Sequence, residues 1–197
     1  MYVDCHTHLD TYESEDILGV IERALVADVS VVVCAGTTLK SSKRCVELTQ
    51  IHQILLAGVG IHPMNLGELL EEDTYHELKT LAQDNSRVVC ISEIGLDFLP
   101  TSPPKEVQIQ AFRRQIHLAL EVDLPIVFHS RESHPETLQI LKNEGANRVG
   151  GAFHYFEGDE TIAFQALEQG FFISLAKPLL RLPALQEVVK KLPLEFI

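Results

Sequence analysis

Short apolar runs alternate along this chain with amphipathic stretches. The runs at 2–5, 30–35, 54–60, 87–93, 125–129, 148–153 and 170–175 are rich in Val, Ile and Phe and are mostly continuous. A continuous apolar run of that length predicts a strand covered on both faces, as in a parallel sheet. Between the runs, apolar residues recur at helical spacing over 15–27, 42–52, 104–121, 135–143, 161–169 and 183–191. The clearest helix is 104–121. There Phe112, Ile116, Ala119 and Leu120 share one face, and Pro103 and Pro104 suit a helix start. Ser14 is expected to cap the first helix, and Gly170 to end the one before it in left-handed geometry.

Strand and helix thus alternate through seven units, with an eighth strand expected to begin at Leu194. This pattern predicts a single α/β domain over 1–197 with a parallel sheet, of the TIM (β/α)8 barrel type. Periodicity alone does not separate a closed barrel from an open doubly wound sheet. No GxGxxG follows the first strand, which weakens the dinucleotide-binding version of the open sheet.

Composition narrows this further. The chain has 197 residues, short of the roughly 250 that a complete eight-unit barrel uses. No apolar run approaches the ~20 residues of a membrane span, and the N-terminus has no basic stretch leading into an apolar one, so a cytoplasmic protein is expected. Cys5, Cys34, Cys45 and Cys90 form no CxxC pair, and reduced core thiols are expected over a thiolate metal site or disulfides. The net charge of −12 argues against tight nonspecific binding of duplex nucleic acid through a basic patch. It leaves room for one phosphate at a pocket filled with divalent cations.

The polar residues at strand ends carry the chemistry. In Asp4-Cys5-His6-Thr7-His8 the two histidines lie two apart on a strand and point to the same face, with Asp4 below them. Glu93 closes the apolar run Val88-Val89-Cys90-Ile91, where a carboxylate is costly to bury without a cation or hydrogen-bond partner. His129 ends the fifth strand and His154 the sixth. Catalytic groups of barrel enzymes collect at this end of the strands. Four imidazoles and a carboxylate converging there predict a metal site, with Zn²⁺ or Mn²⁺ suited better than Mg²⁺ alone. His62 at the third strand's end is expected to face substrate more than metal. Arg131 faces the same way as His129 and is a candidate phosphate clamp, with a salt bridge to Glu132 or Asp97 as the ordinary alternative. His52, His76 and His117 are expected in helices away from the site, and His134 at a helix start.

The motifs Asp4-Cys-His6-Thr-His8-Leu-Asp10, Gly60-Ile-His62-Pro63, Glu93-Ile-Gly-Leu-Asp97-Phe, Leu124-Pro-Ile-Val-Phe-His129-Ser-Arg131 and His154-Tyr-Phe-Glu-Gly158 resemble, in order, those of the TatD family of metal-dependent deoxyribonucleases. The resemblance implies one ion held by His6, His8 and Glu93, and a second by Glu93, His129 and His154, with Glu93 bridging. It implies phosphodiester hydrolysis of DNA ends or single strands with two divalent ions (Zn²⁺, Mn²⁺ or Mg²⁺). Arg131 and His62 would bind phosphoryl oxygens, and Asp4 and Asp97 would orient ligand imidazoles. The family continues into an eighth-strand aspartate, whereas this chain stops at Ile197, so the C-terminal end of the barrel is expected to be missing. Glu157, Leu99 and Pro100 also depart from the family pattern. Two rivals remain: a hydrolase of an ester, amide or lactone on the same scaffold, and a metal-binding remnant without activity.

Overall fold

The computed structural model describes residues 1–67 and 70–197. Seven strands, β1 (Tyr2–Thr7), β2 (Val29–Ala35), β3 (Leu55–Val59), β4 (Val88–Asp97), β5 (Ile126–Arg131), β6 (Gly151–Phe153) and β7 (Phe171–Ile173), pair in parallel in sequence order. The crossovers carry α1 (Ser14–Val26), α2 (Leu39–Leu48), α3 (Glu72–Asp84), α4 (Lys105–Val122), α5 (His134–Asn143) and α6 (Glu160–Glu168), with α7 (Pro183–Val189) after β7. The sheet curls. Cys5 Sγ on β1 lies 3.4 Å from Oγ of Ser174, just beyond β7.

Alternation along the strands divides the two faces. Val32, Cys34, Leu55, Ala57, Ile126, Phe128 and Phe153 face the helices and join the main core. Val33, Cys90 and Val127 face the other way, with Leu56 and Ala152 packed against them. The main core is anchored by Phe112, Phe128, Phe153, Phe156 and Phe171, all fully buried. Phe128 and Phe153 ring centroids lie 4.7 Å apart. Each such side chain contributes about 1.5–3 kcal/mol by leaving water. His129 follows Val127 by two, and His154 follows Ala152 by two. Both imidazoles therefore inherit the inner face.

α4 forms as expected from its apolar stripe, with Phe112, Ile116 and Ala119 fully buried. Gly170 adopts the left-handed conformation after α6, at φ 82°. Several expectations need correction. Ser14 is not a cap; it is the first residue of α1, and its Oγ accepts from Arg44 at 2.6 Å. A helix over 72–84 escaped the sequence reading. His52 lies beyond the end of α2, where its Nδ1 accepts the Ile54 amide. Cys5 is exposed, while Cys34, Cys45 and Cys90 are buried free thiols. The segment expected to begin an eighth strand is a 3-10 turn, Leu194–Phe196. Its amides bond locally, Phe196 to the Pro193 carbonyl and Ile197 to that of Leu194, rather than to a neighbouring strand. Among the described residues no helix is long and apolar enough to cross a membrane.

Candidate metal centre

β4 does not end at Glu93 as the apolar run suggested; it continues to Asp97. The pairing of β4 with β5 is irregular between Ile91 and Ile94, and both of those side chains face the helices. This irregularity turns Glu93 to the inner face, a re-aiming of the kind bulges produce beside active sites. Gly95 then pairs with His129 at φ 144°, and a Cβ there would stand 2.0 Å from the His129 carbonyl oxygen. Only glycine permits that approach.

Helices hold the strand ends through buried polar side chains. Gln108, fully buried on α4, accepts the Asp97 amide (2.8 Å) and donates to the Asp97 carbonyl (2.7 Å). Two turns on, Gln115 accepts the Ile61 amide (2.7 Å) and donates to its carbonyl (3.0 Å), fixing the backbone beside His62. Ser42 on α2 donates to the Gly60 carbonyl and accepts its amide. The sequence reading passed over all three. Polar residues seven apart on the apolar face of α4 were the available signal.

His6, His8, His62, Glu93, Asp97, His129, Arg131 and His154 line one cleft of about 640 Å³. Glu93 is 4% exposed, and its two oxygens serve different partners. Oε2 lies 3.3 Å from His6 Nε2 and 3.7 Å from His8 Nε2. Oε1 lies 3.3 Å from His129 Nδ1 and 3.7 Å from His62 Nε2. The His154 ring stacks on His6 at 3.5 Å between centroids. Two groups sharing Glu93 bring ligand atoms within 4.8 Å of one another: His6, Glu93 and His154, and His62, Glu93 and His129.

Hydrogen bonds at the far side of three of the rings assign their tautomers. His8 Nδ1 donates to the Ala35 carbonyl at 3.2 Å, leaving the Nε2 lone pair toward Glu93. His129 Nε2 donates to Asp97 Oδ2 at 3.0 Å, leaving Nδ1 free. His62 is the reverse case. Its Nδ1 accepts the Met64 amide at 3.1 Å, so its proton sits on Nε2 and faces the cleft. His62 is thereby a donor toward the cleft, unlike His8 and His129. Asp4 does not reach a ring; its Oδ1 accepts the His6 backbone amide at 3.3 Å. Arg131 is half-exposed at the rim, 4.0 Å from Asp97 Oδ2. His134 begins α5 at the cleft edge, with Nδ1 2.9 Å from Ser130 Oγ. His76 and His117 pair on the surface with Glu72 and Glu144.

The electrostatics match a cation site. Burial pushes the Glu93 carboxyl up, but the close imidazoles of His129, His6 and His62 hold it well below the usual carboxylate range. Burial pushes His154 down to about 3 and His62 down to about 4, against the pull of Glu93. A neutral imidazole at His154 beside an ionised carboxylate offers a lone pair without a competing proton. The buried Nδ1 atoms of His6 and His154 have no hydrogen-bond partner among the described residues, a state that buried polar atoms rarely keep unless something else binds there. The donor set of ring nitrogens and carboxylate oxygens fits divalent ions.

A family model described as TatD related DNase matches residues 3–197. The metal-dependent hydrolase YabD of Bacillus subtilis is 36% identical over 196 residues, covering 98% of this chain and 76% of that protein. The human deoxyribonuclease TATDN3 is 30% identical, covering 99% and 75%. Among solved structures, the TatD homologue YJJV of Escherichia coli superposes with a TM-score of 0.91 at 28% identity, over 99% of this chain and 76% of that one.

Proposed function

The chain belongs to the TatD related DNase family, whose matched relatives include metal-dependent hydrolases, and from that premise we propose that it hydrolyses phosphodiester bonds of DNA at free ends or in single strands. The curled parallel sheet, with its functional groups gathered at the C-terminal strand ends, supports a TIM-type barrel architecture. One observation carries the functional reading: each oxygen of the buried Glu93 carboxylate faces its own pair of imidazoles. That is the arrangement a bridging ligand needs. The family pattern would have His6, His8 and Glu93 hold one divalent ion and Glu93, His129 and His154 a second; in this arrangement His154 groups with His6, and His62 with His129, so His154 would turn from His6 toward the second ion. Bound there, Zn²⁺ or Mn²⁺ would supply Lewis acidity and lower the pKa of water toward neutrality.

The chain's own side chains do the rest. Asp97 fixes the His129 tautomer so that Nδ1 keeps its lone pair. His62 Nε2–H points into the cleft and donates to a nonbridging phosphoryl oxygen, where negative charge develops. Arg131 adds a guanidinium at the rim, suited to two-point contact with phosphate. The test is turnover of a single-stranded oligonucleotide, a blunt duplex, a small phosphodiester and a carboxylic ester, each with and without chelator. Metal-dependent cleavage of single strands or ends is expected. Cleavage of the ester with no phosphodiester activity would replace the reading with the rival hydrolase.

A further inference from the structure

Tyr155 stands directly after His154 and is built unlike its neighbours. Its φ is +51°, a left-handed conformation that is an outlier for a bulky residue and that Asn or Gly would adopt at lower cost. The flanking residues are tied inward. The His154 amide donates to the Phe128 carbonyl at 3.0 Å, and the Phe156 amide to that of Ser174 at 3.1 Å, with the Phe156 ring fully buried. The left-handed turn between them throws the Tyr155 side chain outward. It stays 38% exposed and lines the cleft that holds Glu93. Its ring centroid lies 5.8 Å from that of His154.

The rim around it carries cations. Arg131 ends β5 and Lys177 lies four residues beyond β7, and these are the neighbours on either side of β6, which His154 directly follows. Both line the cleft with Tyr155. Lys177 is exposed and has no ion-pair partner among the described residues. β5 and β7 are roughly 10 Å apart, two strand spacings, and the cations that come from their ends share one cleft with the aromatic ring. A flat π-face between two backbone cations is the pattern by which proteins hold single-stranded nucleic acid: bases stack on the ring, and phosphates meet the charges.

We propose that Tyr155 is a stacking platform for the nucleobase beside the scissile phosphate, with Lys177 and Arg131 holding the backbone on either side. This rests on the DNA reading above and narrows it. The substrate is a strand with an unpaired base at the site, since a base inside a duplex cannot lie on the ring.

The test uses the full chain with added Mn²⁺ and a fluorescein-labelled tetradeoxythymidylate, alongside the same strand with an abasic residue at the cleaved end, and methyl p-nitrophenyl phosphate. Tyr155→Ala should lower kcat/KM on the base-bearing strand about 5- to 100-fold, mainly through KM. Tyr155→Asn, which tolerates the left-handed backbone, should lose as much, while Tyr155→Phe keeps most of the wild-type value. The abasic strand should be poor for wild type, and the Ala substitution should cost it far less. Binding of the labelled strand, read by fluorescence anisotropy, should follow the same order without turnover. Equal losses on base-bearing and abasic strands, or a Phe variant as impaired as Ala, would make Tyr155 a structural support for His154 and overturn the platform alone. Cleavage of the methyl diester with neither binding nor cleavage of any oligonucleotide would overturn the DNA reading and the platform with it.

Discussion

Asp97→Asn is the most searching single change, because it alters neither shape nor any group proposed to touch a metal. Asp97 is 1% exposed. Its Oδ1 accepts from Ser102 Oγ (2.7 Å) and the Leu99 amide (3.1 Å), and its Oδ2 accepts from His129 Nε2 (3.0 Å). An asparagine that keeps the first two bonds turns its NH₂ toward His129 Nε2–H. Two donors then face each other. The clash is relieved when the His129 proton moves to Nδ1, where it points at Glu93 Oε1, 3.3 Å away, and removes the lone pair meant for a cation. Substitutions behind a metal-ligating histidine typically cost 10–100-fold in affinity, about 1.4–2.7 kcal/mol. The metal-free protein keeps two of the three bonds in weaker, uncharged form and should lose only about 1–2 kcal/mol of stability. Competition with a chromophoric chelator measures the affinity, and ¹⁵N–¹H spectra of the imidazoles report the tautomer. Unchanged affinity would refute the coupling of Asp97 to the metal centre. Weakened affinity with the proton still on Nε2 would refute the tautomer route and leave a purely electrostatic one.

Glu93→Gln should release both ions, since one side chain serves both sets of imidazoles, whereas His52→Ala should leave metal content intact; elemental analysis giving equal losses would sink the bridging assignment. Gly95→Ala should destabilise the fold by about 3–5 kcal/mol, combining a forbidden φ with a clash against the His129 carbonyl, and a chemical-denaturation change below about 1 kcal/mol would contradict this. In the metal-free protein, burial holds His62 at about 4, below its unfolded value near 6.5. The unfolded chain therefore binds the extra proton first, and stability should be full above about pH 6.5 and fall toward pH 4, by on the order of 3 kcal/mol. A stability curve flat over that window in wild type, or unchanged in slope in His62→Gln, would show that His62 titrates normally.

The strands were readable because a sheet covered by helices on one face and curled inward on the other selects continuous apolar runs. Their C-terminal ends were readable because polar residues stand out there. What escaped is instructive. α3 buries Tyr75, Leu78 and Ala82, with Leu81 partly buried, on a helix otherwise made of Glu, Asp, Thr, Gln, Lys and His, so its apolar stripe is thin. β4 ran past Glu93 because Gly95 and Asp97 look like turn residues. In the fold they are strand residues, one giving space to His129 and the other binding its ring. Leu194–Ile197 reads as a strand by residue type, yet its amides bond within a 3-10 turn, since β propensity acts only where a partner strand meets it. The ring tautomers were mostly beyond the sequence. For His8 and His62 they depend on backbone groups of Ala35 and Met64, which nothing in the sequence assigns to those rings; only Asp97, expected to orient a ligand imidazole, was named beforehand, and it meets His129.

Those tautomers also bear on how so acidic a protein handles a polyanion. With a net charge of −12 and two carboxylates held ionised in the cleft, the empty site repels phosphate. Arg131 and Lys177 at the rim are matched by Glu132 and Glu157, so the rim adds no net attraction at long range. Affinity for a DNA backbone must then be concentrated at one or two phosphates directly over the imidazoles, and it must arise together with the cations that Glu93 gathers. A surface of this kind cannot slide along duplex, where many phosphates are contacted at once. It can take an end or a loose strand, where one phosphate is presented alone and a neighbouring base is free to leave the stack. On the DNA reading proposed above, the charge that argues against a nuclease instead selects which nucleic acid the cleft would accept.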